Sequence, residues 1–197
     1  MRKPADSGGQ TALHDSTRSP TPLRLQTARL TLVAGTLELA RAETHDRREL
    51  AALLGVPSPN NWPPPLNDEN SLAWFLRRLE EDPTIVGWAT WYFLRGGSED
   101  QLPILIGNGG FFGRPGADGT VEIGYSILPA HQRRGYAPEA VAALVNWAFT
   151  TPAVRRITAH TLPELRPSIR VLEKCGFRLL GPGAEEGTIQ FERPRRA

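Results

Sequence analysis

At 197 residues, 40% hydrophobic and 22% charged, the chain has the length of one domain of roughly 150 residues with a little to spare. A chain of this size buries roughly 70% of its unfolded surface and needs no disulfide or metal to hold it together. Cys175 is the sole cysteine. That excludes an intramolecular disulfide and any multi-cysteine zinc or iron–sulfur centre, and no metal site is expected. No run of about 18 apolar residues is present, so no membrane-spanning helix and no membrane partner are expected. Met1-Arg2-Lys3 leads into polar residues rather than the apolar core of a secretory signal. A reducing cytoplasm is the compartment these features permit.

The net charge of +2 and pI of about 9.0 raise nucleic acid as a partner, but the basic charge is terminal. Arg2, Lys3 and Arg18 outnumber Asp6 and Asp15 in residues 1–22, and Arg193, Arg195 and Arg196 close the chain. The body between them is slightly acidic. A basic stripe interleaved with stacking aromatics is missing, so nucleic acid is not expected as a partner. Residues 1–22, rich in Ser, Thr, Pro and Gly, read as a disordered leader. Residues 23–192 read as the folded domain and 193–197 as a basic tail.

In chain order, Leu23 to Val33 alternates apolar and polar residues and predicts a strand. Thr36 is a helix cap, and a helix follows to Gly55, with a possible break near Thr44 to Asp46. Five prolines within residues 55–70 exclude regular helix. A loop of that length more often serves function than connection. Trp62 lies in it and could be an exposed aromatic covering a substrate. Its alternative is an ordinary core position. Leu72, Phe75, Leu76 and Leu79 predict a helix by their spacing.

Ile85 to Leu94 and Pro103 to Phe112 predict a hairpin around a turn at 95–100. Gly107, Gly109 and Gly110 mark a bulge or a close approach of backbones. Thr120 to Leu128 predicts a third strand. In it Val121, Ile123, Tyr125 and Ile127 share one face, and Glu122, Gly124 and Ser126 the other. Pro138 opens a helix, Val154 to Thr161 is a strand, Ser168 to Cys175 a helix ended by Gly176, and 177–180 with 188–191 a closing hairpin. The order predicts an α/β (α+β) domain with a mixed, mostly antiparallel sheet flanked by helices.

The segment Gln132-Arg133-Arg134-Gly135-Tyr136-Ala137 between strand and helix concentrates the chemistry. Backbone N–H groups at a helix N-terminus, aided by the macrodipole, bind anions. Gly135 lets a phosphate reach the main chain. The competing reading is a basic turn before an amphipathic helix.

The strand Val121 to Pro129, followed by Gln132 to Ala140, resembles motif A of the GNAT superfamily of N-acetyltransferases. Ser168-Ile169-Arg170-Val171-Leu172-Glu173-Lys174-Cys175-Gly176-Phe177 resembles the same family's later helix and its Gly-Phe exit. Thr27-Ala28-Arg29-Leu30-Thr31-Leu32 resembles the opening of the branch that includes the ribosomal-protein N-terminal acetyltransferases.

The resemblance implies acetyl-CoA as cosubstrate. Its pyrophosphate would lie on the backbone of Arg133, Arg134, Gly135, Tyr136 and Ala137. Its pantetheine arm would pair with Ser126, Ile127 and Leu128, in a strand expected to run parallel to Val154–Thr161 and to splay from it at the cofactor site. An N–H near Ile127 would face the acetyl oxygen. Glu122 is the matching position for a carboxylate that takes the amine's proton and meets the substrate. Its alternative is a salt-bridged strand residue. Ser168 would hydrogen-bond the sulfur or protonate the thiolate, or else cap its helix.

The sequence departs from the family pattern at Leu165, where Asn is frequent. Tyr125 and Tyr136 can be acids or packing residues, and His131 and His160 titrating groups or structural ones. The direct transfer that the resemblance implies needs no nucleophile from the enzyme, so Cys175 is expected to be a core residue. The implied activity is acetyl transfer to a primary amine: a protein N-terminus, an amino acid or a small amine. A catalytically silent CoA-binding sensor or scaffold is the alternative. A homodimer is a frequent state in the family.

Overall fold

The computed structural model describes residues 22–57, 59–65, 67–96 and 102–196. The expected leader, save its last residue, and most of the turn at 95–100 lie outside them. Eight strands form one sheet in the order β1-β2-β3-β4-β5-β6-β8-β7. They are β1 (Arg24–Gln26), β2 (Leu30–Ala34), β3 (Thr90–Arg95), β4 (Ile104–Phe111), β5 (Thr120–Ile127), β6 (Arg156–Thr161), β7 (Arg178–Pro182) and β8 (Ile189–Pro194). The helices are α1 (Leu37–His45), α2 (Arg47–Leu54), α3 (Glu69–Glu81), α4 (Tyr136–Ala148) and α5 (Arg166–Lys174). Every neighbouring pair is antiparallel except β5 and β6, as the α/β expectation requires.

Three expectations need correction. Leu23 to Val33 is not one strand but a hairpin, with Arg24 opposite Val33. Its turn is closed by Thr27, whose N–H donates to the Leu30 carbonyl and whose Oγ1 accepts from the Leu30 N–H. Ile85 to Leu94 becomes a strand only at Thr90. Before that, the Asp82 carboxylate accepts from the Thr84 N–H to start a 3-10 turn at Pro83–Ile85, and Gly87 turns the chain at φ +88°. The basic tail is partly structural. Arg193 and Pro194 lie in β8, and the Arg195 guanidinium donates to the carbonyls of Phe149, Thr151 and Val154. The excess charge there satisfies chain ends, which suits an arginine fork.

The helix break falls at Asp46, which ends α1 and caps α2 by accepting from the Arg48 N–H. The glycines of β4 serve close approach. A Cβ on Gly107 would stand 2.4 Å from the Ser126 carbonyl oxygen, and one on Gly109 2.7 Å from that of Gly124. A bulge also interrupts β3–β4 pairing.

The odd residues of β5 pack with α4 in the larger core, among them Val121, Ile123 and Ile127 with Val141, Leu144 and Val145. The other face of the sheet carries a second core of Val33, Tyr92, Leu94 and Leu105 under α1 and α2. Buried in it is the carboxylate of Glu43, which accepts from Trp62 Nε1 at 2.9 Å and Tyr92 OH at 2.7 Å. Burial raises its pKa to about 6 and these hydrogen bonds only partly offset that. The folded protein therefore binds this proton more tightly than the unfolded chain. The group's contribution is full below pH 4.5 and is lost as pH rises to about 6, a change of about 2 kcal/mol. Glu43→Gln removes the titration. In urea unfolding, the stability of the variant relative to wild type is expected to rise by about that amount between pH 4 and 7. A difference constant across that range would contradict the assignment.

Candidate active site

Motif A is built where β5 runs into α4. A 3-10 turn at Pro129–His131 leads from the strand. Arg133 then takes φ +61°, the single positive-φ non-glycine residue among the described residues, and Gly135 takes φ +81° as the helix N-cap. Strained backbone of this kind costs of order 1–3 kcal/mol and gathers at ligand sites. No side chain caps α4, so its first-turn N–H groups at Tyr136 and Ala137 are open to a ligand. Arg133, Arg134 and Gly135 are exposed. Arg133 to Ala137, the residues expected to cradle a pyrophosphate, are one continuous stretch of backbone at the start of α4. Helix α4 starts at Tyr136 rather than at Pro138, which sits within its first turn.

Sequence reasoning missed what holds the cradle in place. Glu139, in the first turn of α4, accepts from Thr27 Oγ1 at 2.6 Å, from the Arg29 N–H at 2.8 Å and from Arg29 Nε at 2.7 Å. Burial pushes its pKa up, but the hydrogen bonds from Thr27 and Arg29 outweigh that and hold it below the usual range. Arg29 also donates to the Arg134 carbonyl at 2.9 Å and lies 4.7 Å over the ring of Tyr136. The β1–β2 turn thus clamps the cradle. The clamp explains why Thr27 and Arg29 stand in the opening motif, though no local signal links them to Glu139.

The expected splay is present. β5 and β6 pair only at Thr120–Glu122 with Arg156–Thr158, although both strands run on to Ile127 and Thr161. Backbone groups of Glu122 and Leu128 bond to β4, through Phe112 N–H and the Ile106 carbonyl. Antiparallel alternation then directs the backbone of Ile123, Tyr125 and Ile127 away from β4, toward the gap. The Ile127 carbonyl accepts from Gln132 Nε2 at 2.9 Å. Leu128 is buried, and Ser126 Oγ donates to the Pro65 carbonyl at 2.6 Å.

Glu122 sits at the last paired rung, opposite Thr158. Its Oε1 lies 2.7 Å from His160 Nδ1, and its side chain is 38% exposed. His160 Nε2 is buried without a partner. His131 is not part of this group: burial, then Arg95 and Arg134, lower its pKa.

Ser168 does not cap α5. That helix begins at Arg166, Leu165 is its N-cap and Pro167 occupies its first turn. Ser168 instead places its Oγ 3.2 Å from Tyr125 OH, which also donates to the Ser168 carbonyl at 3.1 Å. Burial raises the Tyr125 pKa, keeping the phenol protonated.

Trp62 is not an exposed cover. Its ring is buried, donating to Glu43 and tilted against Tyr92 at 6.3 Å. It anchors the proline-rich loop to the core, as an aromatic with a satisfied N–H does. Cys175 is buried, with Sγ 3.4 Å from the Pro138 carbonyl and its pKa raised by burial, consistent with packing.

Residues 36–178 match the family described as acetyltransferase (GNAT) domain. The chain is 31% identical over 163 residues to the uncharacterized N-acetyltransferase YjdG of Bacillus subtilis, spanning 82% of this chain and 93% of that protein. A putative ribosomal-protein-serine acetyltransferase from Vibrio cholerae has a similar fold, with TM-score 0.60 and 19% identity over 90% of this chain and all of the other. So does Mycobacterium smegmatis RimJ in complex with CoA-disulfide, with TM-score 0.56 and 21% identity over 84% of this chain and 81% of the other.

Proposed function

The chain belongs to the GNAT acetyltransferase family and is an acyltransferase, and from that premise we propose that it moves an acetyl group from acetyl-CoA directly to a primary amine. One observation carries the reading: an uncapped helix N-terminus adjoins a parallel strand pair that separates after three rungs. The first is shaped for a pyrophosphate, the second for an extended arm ending in a thioester.

In this reading the N–H groups from Arg133 to Ala137 bind the pyrophosphate. Ser126 to Leu128 orient the arm, and the Ile127 N–H donates to the acetyl oxygen as negative charge develops there. Glu122 takes a proton from the acceptor's ammonium, freeing the lone pair that forms the new C–N bond, and as the C–S bond breaks the departing thiolate takes the nitrogen's second proton. His160 holds the Glu122 carboxylate at the mouth of the gap. The Ser168 hydroxyl, supported by Tyr125, hydrogen-bonds the departing sulfur. The acceptor is a protein N-terminus, an amino acid or a small amine.

Mass spectrometry of a mixture of protein, acetyl-CoA and a broad amine panel tests this. Acetylated amine and free CoA in equal amounts are expected. Binding of CoA with no acetylated product would instead favour the silent sensor or scaffold.

A further inference from the structure

The α1–α3 face of the sheet is laid out in three cross-strand rows, because residues directly opposite one another share a face. Tyr92, Asn108 and Ser126 form the first row. The proline-rich loop covers it: Trp62 lies on Tyr92, Asn67 Nδ2 donates to Asn108 Oδ1 at 2.7 Å, and the Pro65 carbonyl receives Ser126 Oγ. Thr90, Gly110 and Gly124 form the second row, which is nearly bare of side chains. The Phe112 N–H bond to the Glu122 carbonyl extends the register by one rung, and Glu122 pairs with Thr158. Phe112, Glu122 and Thr158 are therefore the third row.

Phe112 leans into the bare row, with its ring edge 3.1 Å from where a Gly124 Cβ would stand. It meets Trp74 at 5.8 Å and Phe75 at 5.9 Å, both from α3. Leu76 and Leu79 already seat α3 on the core. Yet Phe112 remains 48% and Trp74 36% exposed. Two partly exposed aromatic rings thus stand in contact, and one of them, Phe112, shares its cross-strand row with the carboxylate assigned to the amine.

The charge near this wall narrows its ligand. The Arg78 guanidinium lies 5.8 Å from the Trp74 ring, paired to Glu81 at 3.5 Å. Arg114 lies at the C-terminal end of α3, bonded to Thr84 and paired with Asp82. Each guanidinium is matched by a carboxylate, so these pairs offer no free carboxylate to a polycationic acceptor. An apolar group next to a single amine suits the wall.

We propose that Phe112 and Trp74 form the subsite for the acceptor's side group, selecting a primary amine that bears an apolar or aromatic substituent. The proposal rests on the assignment of Glu122 to the amine. The ring faces bury the substituent by the hydrophobic effect while the nitrogen meets Glu122.

Phenylalaninamide and glycinamide, offered with acetyl-CoA, test the proposal. In wild type the kcat/KM for phenylalaninamide is expected to exceed that for glycinamide at least tenfold. Phe112→Ala and Trp74→Ala are expected to cut that ratio at least fivefold, and Phe112→Leu less. Acetyl-CoA affinity serves as the folding control. A wild-type ratio near one, or a ratio that survives the alanine substitutions, overturns the proposal. Where neither amide is acetylated, the Trp74 indole N–H resonance, identified by Trp74→Phe, still reports binding. A shift with phenylalaninamide alone supports the subsite, and no shift with either amide overturns it. Acetylation of glycinamide without preference leaves the acetyltransferase reading standing, so the two failures are distinct.

Discussion

Replacing Glu122 by glutamine is expected to lower kcat/KM for acetyl transfer by about 10²–10⁴, the usual worth of a positioned general base. The substitution keeps the shape and a hydrogen bond to His160, but replaces the basic carboxylate with an amide too weakly basic to accept the amine's proton. Acetyl-CoA affinity is expected to stay within a factor of about two, because Glu122 lies near the start of β5 while the cradle at Arg133–Ala137 follows that strand's other end. The loss should also shrink as pH rises and more of the acceptor amine is already neutral. Rate profiles of both proteins between pH 6 and 9 check this. Equal rates, or equal losses at every pH, would make Glu122 a structural partner of His160.

Glu139→Ala has the second large effect, on stability and affinity together. Its carboxylate is the common acceptor for Thr27 Oγ1, the Arg29 N–H and the Arg29 guanidinium. Losing it takes away the acceptor of the Arg29 N–H and leaves Thr27 Oγ1 only its Leu30 backbone partners, at a cost of about 1–3 kcal/mol for hydrogen bonds to a charged group. Arg29 is about half exposed, so its share of the ion pair is small. Because the folded pKa of Glu139 lies below its ordinary value, the stability it adds is present above pH 4.5 and fades as pH falls through the folded pKa. Released from the clamp, the cradle is expected to lose at least tenfold in acetyl-CoA affinity. Urea unfolding and calorimetry measure the two effects. Undiminished affinity in a destabilised variant would confine the clamp to folding.

Much of this arrangement could be read in the sequence because its signals are local. The alternation of Val121 to Ile127 gave the strand, and the glycine at 135 before an apolar helix face gave the cradle. The splay and the parallel pairing came from the family resemblance, and the three paired rungs agree with it. What stayed hidden depends on partners distant in the chain. The turn at Thr27 to Arg29 carries no glycine, proline or asparagine, and Glu139, more than 100 residues away, holds it. Trp62 looked exposed because its loop is rich in proline, yet Glu43 supplies the acceptor that lets its indole be buried. Ser168 was readable as a cap until Pro167 is placed in the first turn, which moves the helix start upstream. The Glu122–His160 contact joins two strands that sequence order separates by a helix.

The most direct test of the central claim is calorimetric titration of the protein with acetyl-CoA, with Gly135→Glu as the control. Gly135 holds φ +81°, and a Cβ there would stand 3.2 Å from the Arg29 guanidinium. Glutamate would add strain and a negative charge where phosphate is expected. Saturable binding by the wild type, abolished in a variant that still folds, is the predicted result. Absence of binding by the folded wild type, or equal binding by both proteins, would contradict a cofactor site at the start of α4.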